Sequence, residues 1–363
     1  MGFRRVAVFG YRNLQDAAVD TGAEEIFLVG ENGQGKTNFL EAVYFLSFGS
    51  SFRSASDSLI PRAGQKSGEK EFSVRGHFQD SERDIDIVLK YQEGKKEIRL
   101  DGKQVRDRKE LVSNIPCIVF THGDIDFVAG RPERRRWFIN QIMSLFNPLF
   151  IDLLRRYNRL IKNKNLVLKE GPASLLDSYD LQIAQAGLEI QRRRRETIQD
   201  FNRTFSRLFS EISRISGDVS IEYRPSWKDA ENEEQIVRFL ASQRNKDLEQ
   251  GMCGSGPHRD RIRFIHQGRD YVQTASTGQL RLISLVLRVA QSIFFTEKTR
   301  KKPVLLLDDV LLELDLERRK RFLASLPGYE QAFFTFLPDE PYREYQKPGT
   351  LILRVESGIL KLV

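Results

Sequence analysis

A glycine-rich loop between a short apolar segment and a longer apolar-periodic segment constrains this chain more than any other feature. Residues 30–37 read Gly-Glu-Asn-Gly-Gln-Gly-Lys-Thr, which fits the pattern G-x-x-x-x-G-K-T. The short, mainly apolar segment 25–29 predicts a strand before the loop, and apolar residues recur at helical spacing over 38–48. A strand, a glycine-rich loop and a helix in this order let backbone N–H groups and the helix N-terminus surround a phosphate group. The pattern therefore predicts an α/β fold in which this strand belongs to a sheet.

The residue types in this loop indicate a nucleoside triphosphate bound with Mg²⁺. Lys36 is expected to reach the β- and γ-phosphates, and the Thr37 hydroxyl is expected to bind the metal ion. Lys36 also counts as catalytic, because phosphoryl transfer depends on positioning and on stabilising charge. The predicted ATP-binding residues of this segment are Gly30, Asn32, Gly33, Gln34, Gly35, Lys36, Thr37 and Asn38.

An apolar strand that ends in two carboxylates lies far downstream. Residues 304–309 read Val-Leu-Leu-Leu-Asp-Asp, as a metal-bound triphosphate requires. We expect Asp308 to hold Mg²⁺ together with Thr37, and Asp309 to polarise the attacking water. Alternatively, Asp309 supports the metal through its other ligands. Taken alone, the two aspartates are also typical of a turn at a strand end.

A Ser-x-Gly-Gln turn precedes that strand and opens a predicted helix over 280–295. Alone, such a turn is typical of a helix N-cap. In this order with the glycine-rich loop and the carboxylates, it is typical of the ABC class of ATPases. There it caps the nucleotide held by a second subunit, because it cannot easily reach the phosphates of its own. The sequence thus predicts an ATP-dependent homodimer, with these signature residues acting across it: Ser276, Thr277, Gly278 and Gln279.

Composition indicates a globular protein. The 363 residues are 40% hydrophobic and 30% charged, and no run approaches the roughly 18 apolar residues of a membrane span. The N-terminal residues lead into an alternating strand pattern without a signal peptide, so we expect no membrane partner and a cytoplasmic location. Cys117 and Cys253 are far apart and histidines number only four, which predicts neither a zinc site nor a disulfide framework.

The chain is basic, with a formal net charge of +8. Any one basic cluster is typical of a solvated helix face. Several clusters in one basic chain favour a polyanionic partner, and nucleic acid is the usual one. The clusters lie at 131–136, 155–164 and 191–195.

The periodicity of apolar residues divides the chain into three parts. The first 125 residues read as strands, including a hairpin with its turn at 92–95, whereas helical spacing dominates 131–250. The helical part includes one long helix over 173–213, a break at Asn147-Pro148 and one strand at 219–223. Short strands return at 261–265, 304–307, 331–335 and 351–355.

We therefore predict a P-loop NTPase of the ABC type, an ATPase head with an inserted, mainly helical lobe. Residues 1–130 and 251–363 form the head and 131–250 the lobe. The lobe lacks sustained heptads, so we expect it to be compact and not a long coiled coil.

The chain resembles the RecF family of bacterial recombination and repair proteins over essentially its whole length. Residues 30–53 carry the most specific part of the resemblance, and the helical lobe matches more weakly. The matching segments are 9–14 (FGYRNL), 30–42 (GENGQGKTNFLEA), 51–53 (SFR), 130–136 (GRPERRR), 256–260 (GPHRD), 307–310 (LDDV) and 313–315 (ELD).

The resemblance implies an ABC-type head shared with the SMC and double-strand-break-repair ATPases. It implies DNA binding when ATP is bound, dimerisation through ATP, weak DNA-stimulated hydrolysis, and work with RecO and RecR at gapped DNA to help load recombinase. By the same resemblance, Arg12 or Asn13 contacts the ribose or base, and Asp315 orders the dimer interface. The alternative function is another ABC-type ATPase head, either a transport engine or a nuclease-associated ATPase.

The chain departs from the family pattern at four positions. Leu280 replaces a glutamine after the signature, Leu312 replaces a small polar residue, and Arg261 follows 256–260 where a second acid is common. His122 lies where related ATPases place a glutamine that contacts metal and water, so it either substitutes for that glutamine or caps a turn. The departures leave open the rate of hydrolysis and the strength of dimerisation. Asp309 is also one methylene shorter than the usual glutamate, which favours slow turnover.

Overall fold

The computed structural model describes residues 2–64, 70–80, 83–213, 215, 217–228 and 230–363, without the side chain of Glu313. By their contacts these residues divide into two compact units. The first comprises Met1–His122, Phe295–Lys320 and Leu326–Val363. The second comprises Gly123–Phe294 and Arg321–Ser325.

The regular elements are numbered here along the chain. The strands are β1 Gly2–Phe9, β2 Ala17–Asp20, β3 Glu25–Val29, β4 Glu71–Gln79, β5 Asp84–Gln92, β6 Lys95–Leu100, β7 Lys103–Gln104, β8 Cys117–Phe120, β9 Val219–Arg224, β10 Arg261–His266, β11 Arg269–Asp270, β12 Val304–Leu307, β13 Gln331–Phe336, β14 Leu351–Glu356 and β15 Ile359–Leu362. The α-helices are α1 Lys36–Phe48, α2 Lys109–Asn114, α3 Pro132–Phe146, α4 Leu149–Glu170, α5 Leu176–Ser213, α6 Glu233–Ser242, α7 Arg244–Gln250, α8 Thr277–Thr299 and α9 Leu316–Ser325.

A mainly parallel sheet in the first unit positions the candidate site. Its strand order is β15-β14-β3-β13-β12-β8, and only β15 runs antiparallel to its neighbour. The central strands β3, β12 and β13 are mainly apolar and buried along their whole length, as expected for a parallel sheet covered on both faces. Because parallel strands end at the same edge, the segments after β3, β12 and β8 leave the sheet side by side.

Helix α1 packs between this sheet and an antiparallel one. The antiparallel sheet has the order β2-β1-β4-β5-β6-β7. Apolar side chains of α1 are buried on nearly all sides, including Phe39, Leu40, Val43 and Leu46, because both sheets cover the helix. Each such side chain stabilises the fold by about 1.5–3 kcal/mol. The helix that follows the glycine-rich loop is therefore held rigidly in place.

The turn of the β5–β6 hairpin confirms the sequence prediction. Glu93 and Gly94 have φ values of 50° and 79°. Two successive residues with positive φ form the tight turn that matches the twist of antiparallel strands. Glycine at the second position meets this requirement without a steric penalty.

The second unit is built mainly from helices α3 to α7, with a three-stranded sheet of order β11-β10-β9. The break predicted at Asn147-Pro148 separates α3 from α4. The predicted helix over 173–213 is wrong only in its first turn, since Ala173–Leu175 forms a 3₁₀ helix and α5 begins at Leu176. At 38 residues, α5 is about 57 Å long.

Strand β10 differs from its predicted context. The sequence placed it among the strands that return after the lobe, but it pairs with β9 of the second unit along six residues. Backbone pairing decides strand neighbours, and a local apolar pattern does not reveal them. The predicted division into head and lobe at 130/131 and 250/251 stays a prediction. The boundaries between the two compact units include His122/Gly123 and Phe294/Phe295.

Among the described residues, α8 is long and apolar enough to cross a membrane, with a mean hydropathy of 1.2 over 18 residues. Of that stretch, 72% is buried inside the protein. Buried core helices of globular proteins have the same length and composition, so these properties are weak evidence for a membrane span.

Candidate nucleotide site

Two glycines of the glycine-rich loop have different structural reasons, close packing at Gly30 and backbone conformation at Gly35. A Cβ at Gly30 would lie 2.3 Å from the carbonyl oxygen of Val355 on β14. Gly35 has φ 117°, and a Cβ there would lie 2.9 Å from Leu14. Close packing of the loop against β14 therefore explains Gly30, and the left-handed conformation explains Gly35.

Lys36 is buried at the start of α1, with 4% of its surface exposed. Its Nζ donates to the carbonyl oxygens of Gly30 at 2.5 Å and Glu31 at 3.2 Å. Among the described residues these neutral groups are its hydrogen-bond partners. A buried cation is costly without a negative partner, and a phosphate group would provide one.

Thr37 and Asp308 meet as predicted. The Thr37 hydroxyl donates to Asp308 Oδ1 at 2.7 Å, although 271 positions separate them in the chain. Burial raises the pKa of Asp308 to about 6, and the adjacent Asp309 also raises it, while the Thr37 hydrogen bond, Arg53 and Lys36 oppose the shift. A bound cation would offset the cost of burying this carboxylate.

The oxygen atoms of Thr37 and Asp308 fit Mg²⁺. This ion prefers oxygen ligands and usually keeps several waters, together with one or two carboxylates and substrate phosphates. The described part of the chain has no group of three or more His, Cys, Asp or Glu residues that could hold a metal by themselves. Thr37 and Asp308 would supply two protein ligands, and the phosphates of a nucleotide and water would supply the others. This is the kind of site that Mg²⁺ prefers.

Asp309 follows at the same edge in a left-handed conformation, with φ 54°. Its N–H donates to Thr335 Oγ1 at 2.7 Å, and this hydroxyl donates to Asp309 Oδ1 at 2.8 Å. Sequence reasoning missed Thr335. A polar residue in the otherwise apolar end of β13 was the available signal.

Arg12 and Asn13 take part in contacts around the loop. Arg12 forms a bidentate pair with the buried Glu41, at 2.8 and 3.0 Å. Asn13 Nδ2 donates to the carbonyl oxygen of Gly33 at 2.8 Å, and Asn13 Oδ1 accepts from Asn38 Nδ2 at 2.5 Å. Asn13 thus bridges the glycine-rich loop and α1. Contact of Arg12 or Asn13 with ribose or base stays a prediction.

Glu41 was not predicted as a site residue, yet it organises this side of the loop. Besides Arg12, it binds Arg53 Nη2 at 3.0 Å and the Ser51 hydroxyl at 2.5 Å. Burial raises the pKa of Glu41, but hydrogen bonds from Arg12 and Ser51 and the nearby charges of Arg53 and Arg12 lower it overall. The charged side chain is therefore retained in the core by its partners.

Gln34 connects the loop to the turn between β14 and β15. Its Oε1 accepts from the N–H of Ser357 at 2.6 Å, and its carbonyl oxygen accepts from the N–H of Gly358 at 2.9 Å. The predicted Asn32 and Gly33 are in the exposed part of the loop. Backbone N–H groups there are accessible to a ligand from solvent.

His122 lies at the same edge of the parallel sheet, two residues after β8. The N–H of Asp308 donates to the carbonyl oxygen of Phe120 at 3.0 Å, which aligns the ends of β12 and β8. His122 is exposed and begins a 3₁₀ helix, His122–Phe127. This position suits either role considered for it, a metal or water contact or a turn cap.

The predicted signature residues form the exposed N-terminus of α8 in the second unit. The N–H of Ser276 donates to Gln279 Oε1 at 2.8 Å, and the N–H of Gln279 donates to Ser276 Oγ at 3.3 Å. This reciprocal pair is a capping box, which explains why α8 begins at Thr277 and not at 280. A Cβ at Gly278 would meet no atom of the described residues within 4 Å, apart from its chain neighbours and the nearby backbone of α8.

Asp315 caps helix α9. Its Oδ1 accepts from the N–H of Arg318 at 2.8 Å, and its side chain is exposed. Both Ser276 and Asp315 therefore have a local structural role, and any role at an interface is additional to it.

The three predicted basic clusters each contribute one cation to the interior of the second unit. Arg194 donates to the buried Asp260 Oδ2 at 2.8 Å, and Arg136 donates to the Asp260 carbonyl oxygen at 2.9 Å. Lys164 lies 2.7 Å from Asp180 and 3.5 Å from Asp247. These three cations are therefore not available to a polyanion. Cations that remain exposed include Arg131, Arg134, Arg155, Arg156, Arg159, Lys162, Arg192 and Arg195.

Together, the fold and this site define the class of protein, an ABC-type ATPase head of the kind that SMC proteins contain. A family model, the RecF/RecN/SMC N terminal domain, matches residues 3–347. The DNA replication and repair protein RecF of Treponema pallidum is 45% identical over 97% of this chain and 99% of its own length. That of Desulfitobacterium hafniense is 32% identical over 96% of both. The chain belongs to the RecF family of DNA replication and repair proteins.

Solved structures agree with this assignment. The structure of the recombination mediator protein RecF-ATP in the RecFOR pathway matches with a TM-score of 0.90 and 27% identity, covering 100% of this chain and 97% of that one. An SMC head bound to the C-winged helix domain of ScpA matches with a TM-score of 0.58 and 17% identity, covering 99% of this chain and 96% of that one. The second likeness concerns the fold alone.

Proposed function

We propose that this chain is an ATP-dependent DNA-binding protein of recombinational repair and replication maintenance. Two copies joined by ATP clamp DNA at gaps or junctions, hydrolyse ATP slowly with stimulation by DNA, and help to load recombinase with RecO and RecR in the cytoplasm. The observation that carries the proposal is the meeting of Thr37 with Asp308 beside the buried Lys36. Membership of the RecF family favours this function over a transport engine or a nuclease-associated ATPase.

Within one subunit, the residues of the first unit bind and orient Mg-ATP. Lys36 and the backbone N–H groups of 32–37 hold the phosphates, while Thr37 and Asp308 hold the metal ion. Mg²⁺, when bound, neutralises charge that develops on the phosphates. Asp309 orients and polarises the attacking water from the next position in the chain.

The N-terminus of α8 is suited to a ligand from outside its own subunit. Alanine favours a helix more than glycine does. Among the described residues, no atom lies within 4 Å of the Gly278 Cβ position apart from its chain neighbours and the nearby backbone of α8. Packing within the subunit does not account for this glycine. Close approach of a nucleotide held by a second subunit would account for it. The exposed helix N-terminus favours a phosphate group at this place.

Binding to gapped duplex DNA, with and without Mg-ATP, tests the proposed function. We expect binding that requires ATP and that is weakly specific for sequence, because the accessible cations recognise phosphates. If about six phosphates are neutralised, log K should fall with log salt at a slope near −5. Fluorescence anisotropy over a salt series measures both properties. Affinity independent of ATP, a flat salt response or strong preference for one duplex sequence would contradict the proposal.

Helix α4 carries several exposed cations that suit this experiment. Changing Arg156, Arg159 and Lys162 together to alanine should make the salt slope shallower by roughly 2–3. A matched control changes three exposed arginines that already pair with carboxylates at 3.3–4.0 Å, namely Arg203, Arg207 and Arg238. An equal effect of the two triple variants would show that α4 is not the contact surface.

An Asp309→Asn variant should bind Mg-ATP with the affinity of wild type. Its rate of hydrolysis should fall by about 100-fold or more. Asparagine keeps the oxygen that accepts from Thr335 but loses the charge that orients water. The ATP-bound dimer should therefore accumulate. Titration with Mg-ATP and steady-state turnover measure the two effects, and Asp308→Asn is the control that should lose affinity. Loss of affinity in Asp309→Asn would instead assign Asp309 to the metal.

A further inference from the structure

The backbone of Asp309 has an unfavourable conformation that contacts with other residues must stabilise. Its φ and ψ are 54° and 17°, in the left-handed region. Aspartate tolerates this region better than most residues, but it is still uncommon outside glycine. Strained residues of this kind persist where their surroundings determine them, and they are frequent at functional sites.

Thr335 holds Asp309 at two points with one hydroxyl group. Oγ1 accepts from the Asp309 N–H at 2.7 Å and donates its own hydrogen to Asp309 Oδ1 at 2.8 Å. The carbonyl oxygen of Leu307 also lies near this hydroxyl. It is 3.5 Å from Oγ1, so a hydrogen bond to it would be much weaker. Strand β13 lies beside β12, with Phe334 paired to Leu307, so the sheet itself places Thr335 at the level of the turn.

The position of Thr335 is fixed by its surroundings. Its residue is 3% exposed in a strand whose six residues are all buried. A buried β-branched side chain has few rotamers available. Its hydroxyl therefore has a fixed position from which to orient the carboxylate of Asp309.

The two neighbouring carboxylates are held by different hydroxyl groups. Thr37 donates to Asp308 Oδ1, and Thr335 donates to Asp309 Oδ1. Asp309 Oδ2 has no hydrogen bond to the residues that the structure describes. The Thr37 hydroxyl thus orients the carboxylate of Asp308, which suits a metal ion. The Thr335 hydroxyl orients the carboxylate of Asp309 and leaves Oδ2 available to a water molecule.

We propose that Thr335 is a positioning residue for ATP hydrolysis, which aims Asp309 Oδ2 at the attacking water. The inference rests on the proposed function, in which Asp309 polarises that water. In the step, the water oxygen forms a bond to the γ-phosphorus while the bond to the β–γ bridging oxygen breaks. ADP leaves with the electron pair of that bond, and the proton of the water passes to Oδ2.

Two substitutions separate the hydroxyl from the rest of the side chain. Thr335→Val keeps the size and β-branching but removes the hydroxyl, whereas Thr335→Ser keeps the hydroxyl. We expect the valine variant to lower kcat about 10- to 100-fold, as loss of an orienting partner commonly does. Its affinity for Mg-ATP should be unchanged, its ATP-bound dimer should accumulate, and the serine variant should restore turnover.

Hydrogen exchange in the nucleotide-free protein tests the positioning without catalysis. The Asp309 N–H is hydrogen-bonded to Thr335 in wild type, so it should exchange slowly there and in Thr335→Ser. In Thr335→Val it should exchange at least several-fold faster, while amides of β12 and β13 exchange as in wild type. Mass spectrometry of fragments containing Asp309 measures this, with the Leu305 and Phe333 amides as internal controls.

The outcomes discriminate between the inference and its alternatives. Unchanged turnover in Thr335→Val would overturn it, and so would equal exchange of the Asp309 amide in wild type and variant. Loss of Mg-ATP affinity together with turnover, without rescue by serine, would show a merely structural role and also overturn it. If the wild type itself fails to bind Mg-ATP, the proposed function is refuted, and this inference with it. If the wild type binds Mg-ATP and Thr335→Val turns over at the wild-type rate, only this inference is refuted.

Discussion

A Lys36→Met variant should lose affinity for ATP by about 100-fold or more, because a charge-assisted hydrogen bond contributes about 1.5–3 kcal/mol and Lys36 would make more than one. Methionine has a similar length and no charge. In wild type, the buried Nζ contacts only carbonyl oxygens among the described residues, so the ammonium group is available to a phosphate. Equilibrium titration with a fluorescent ATP analogue measures the loss.

The fold should survive this change, because the two hydrogen bonds that Lys36 loses are offset by removal of a buried charge that lacks a negative partner. Thermal unfolding without nucleotide should therefore give a midpoint close to that of wild type. ATP should raise the midpoint of wild type and leave that of the variant unchanged. Lys90→Met is the matched control, because Lys90 is an exposed lysine of the same unit. Near wild-type affinity in Lys36→Met would refute the assignment of the loop.

The parts of the fold that carry the site were predictable because their signals are local. Strand 304–307 is an apolar run directly before two carboxylates, and residues 30–37 combine a glycine pattern with a strand and a helix. Physical chemistry then requires these segments to meet, since one nucleotide must contact both. The hydrogen bond between Thr37 and Asp308 is the structural result of that requirement.

Contacts between distant segments were not predictable in the same way. Gln34 binds a turn 323 positions later, and Thr335 binds Asp309 across neighbouring strands. Periodicity identifies which face of an element is buried, but not which element covers it. For the same reason the sequence did not show that β10 pairs with β9.

Burial of charge was the other feature that the sequence concealed. Arg194 and Lys164 lie in basic clusters that read as solvent-exposed helix faces, yet each is 2–3% exposed and paired with aspartate. A buried charge is stable only with partners. Asp180 and Asp260 lie on other elements, 16 and 66 positions from their cations, so composition alone could not show the pairing.

A Ser276→Arg variant should bind ATP as a monomer, fail to dimerise, and lose both hydrolysis and ATP-dependent DNA binding. Ser276 lies at the exposed N-terminus of α8, where backbone N–H groups favour an anion. In the proposed dimer, that anion is the γ-phosphate held by the partner subunit. An arginine side chain would fill the space between the two copies. Sedimentation velocity with Mg-ATP should show wild type near twice the monomer mass and the variant near the monomer mass.

The capping role of Ser276 calls for two further variants, because loss of an N-cap costs about 0.5–2 kcal/mol of stability. Ser276→Ala removes the same cap without adding bulk, so it should still dimerise. Gly278→Arg keeps the capping box of Ser276 and Gln279 and places bulk where a Cβ meets no atom within 4 Å. It should therefore fold well and remain a monomer. If Ser276→Arg and Gly278→Arg both form the ATP-dependent dimer, or if Ser276→Ala abolishes it as fully as arginine does, the composite site is refuted and Ser276 acts only as a helix cap.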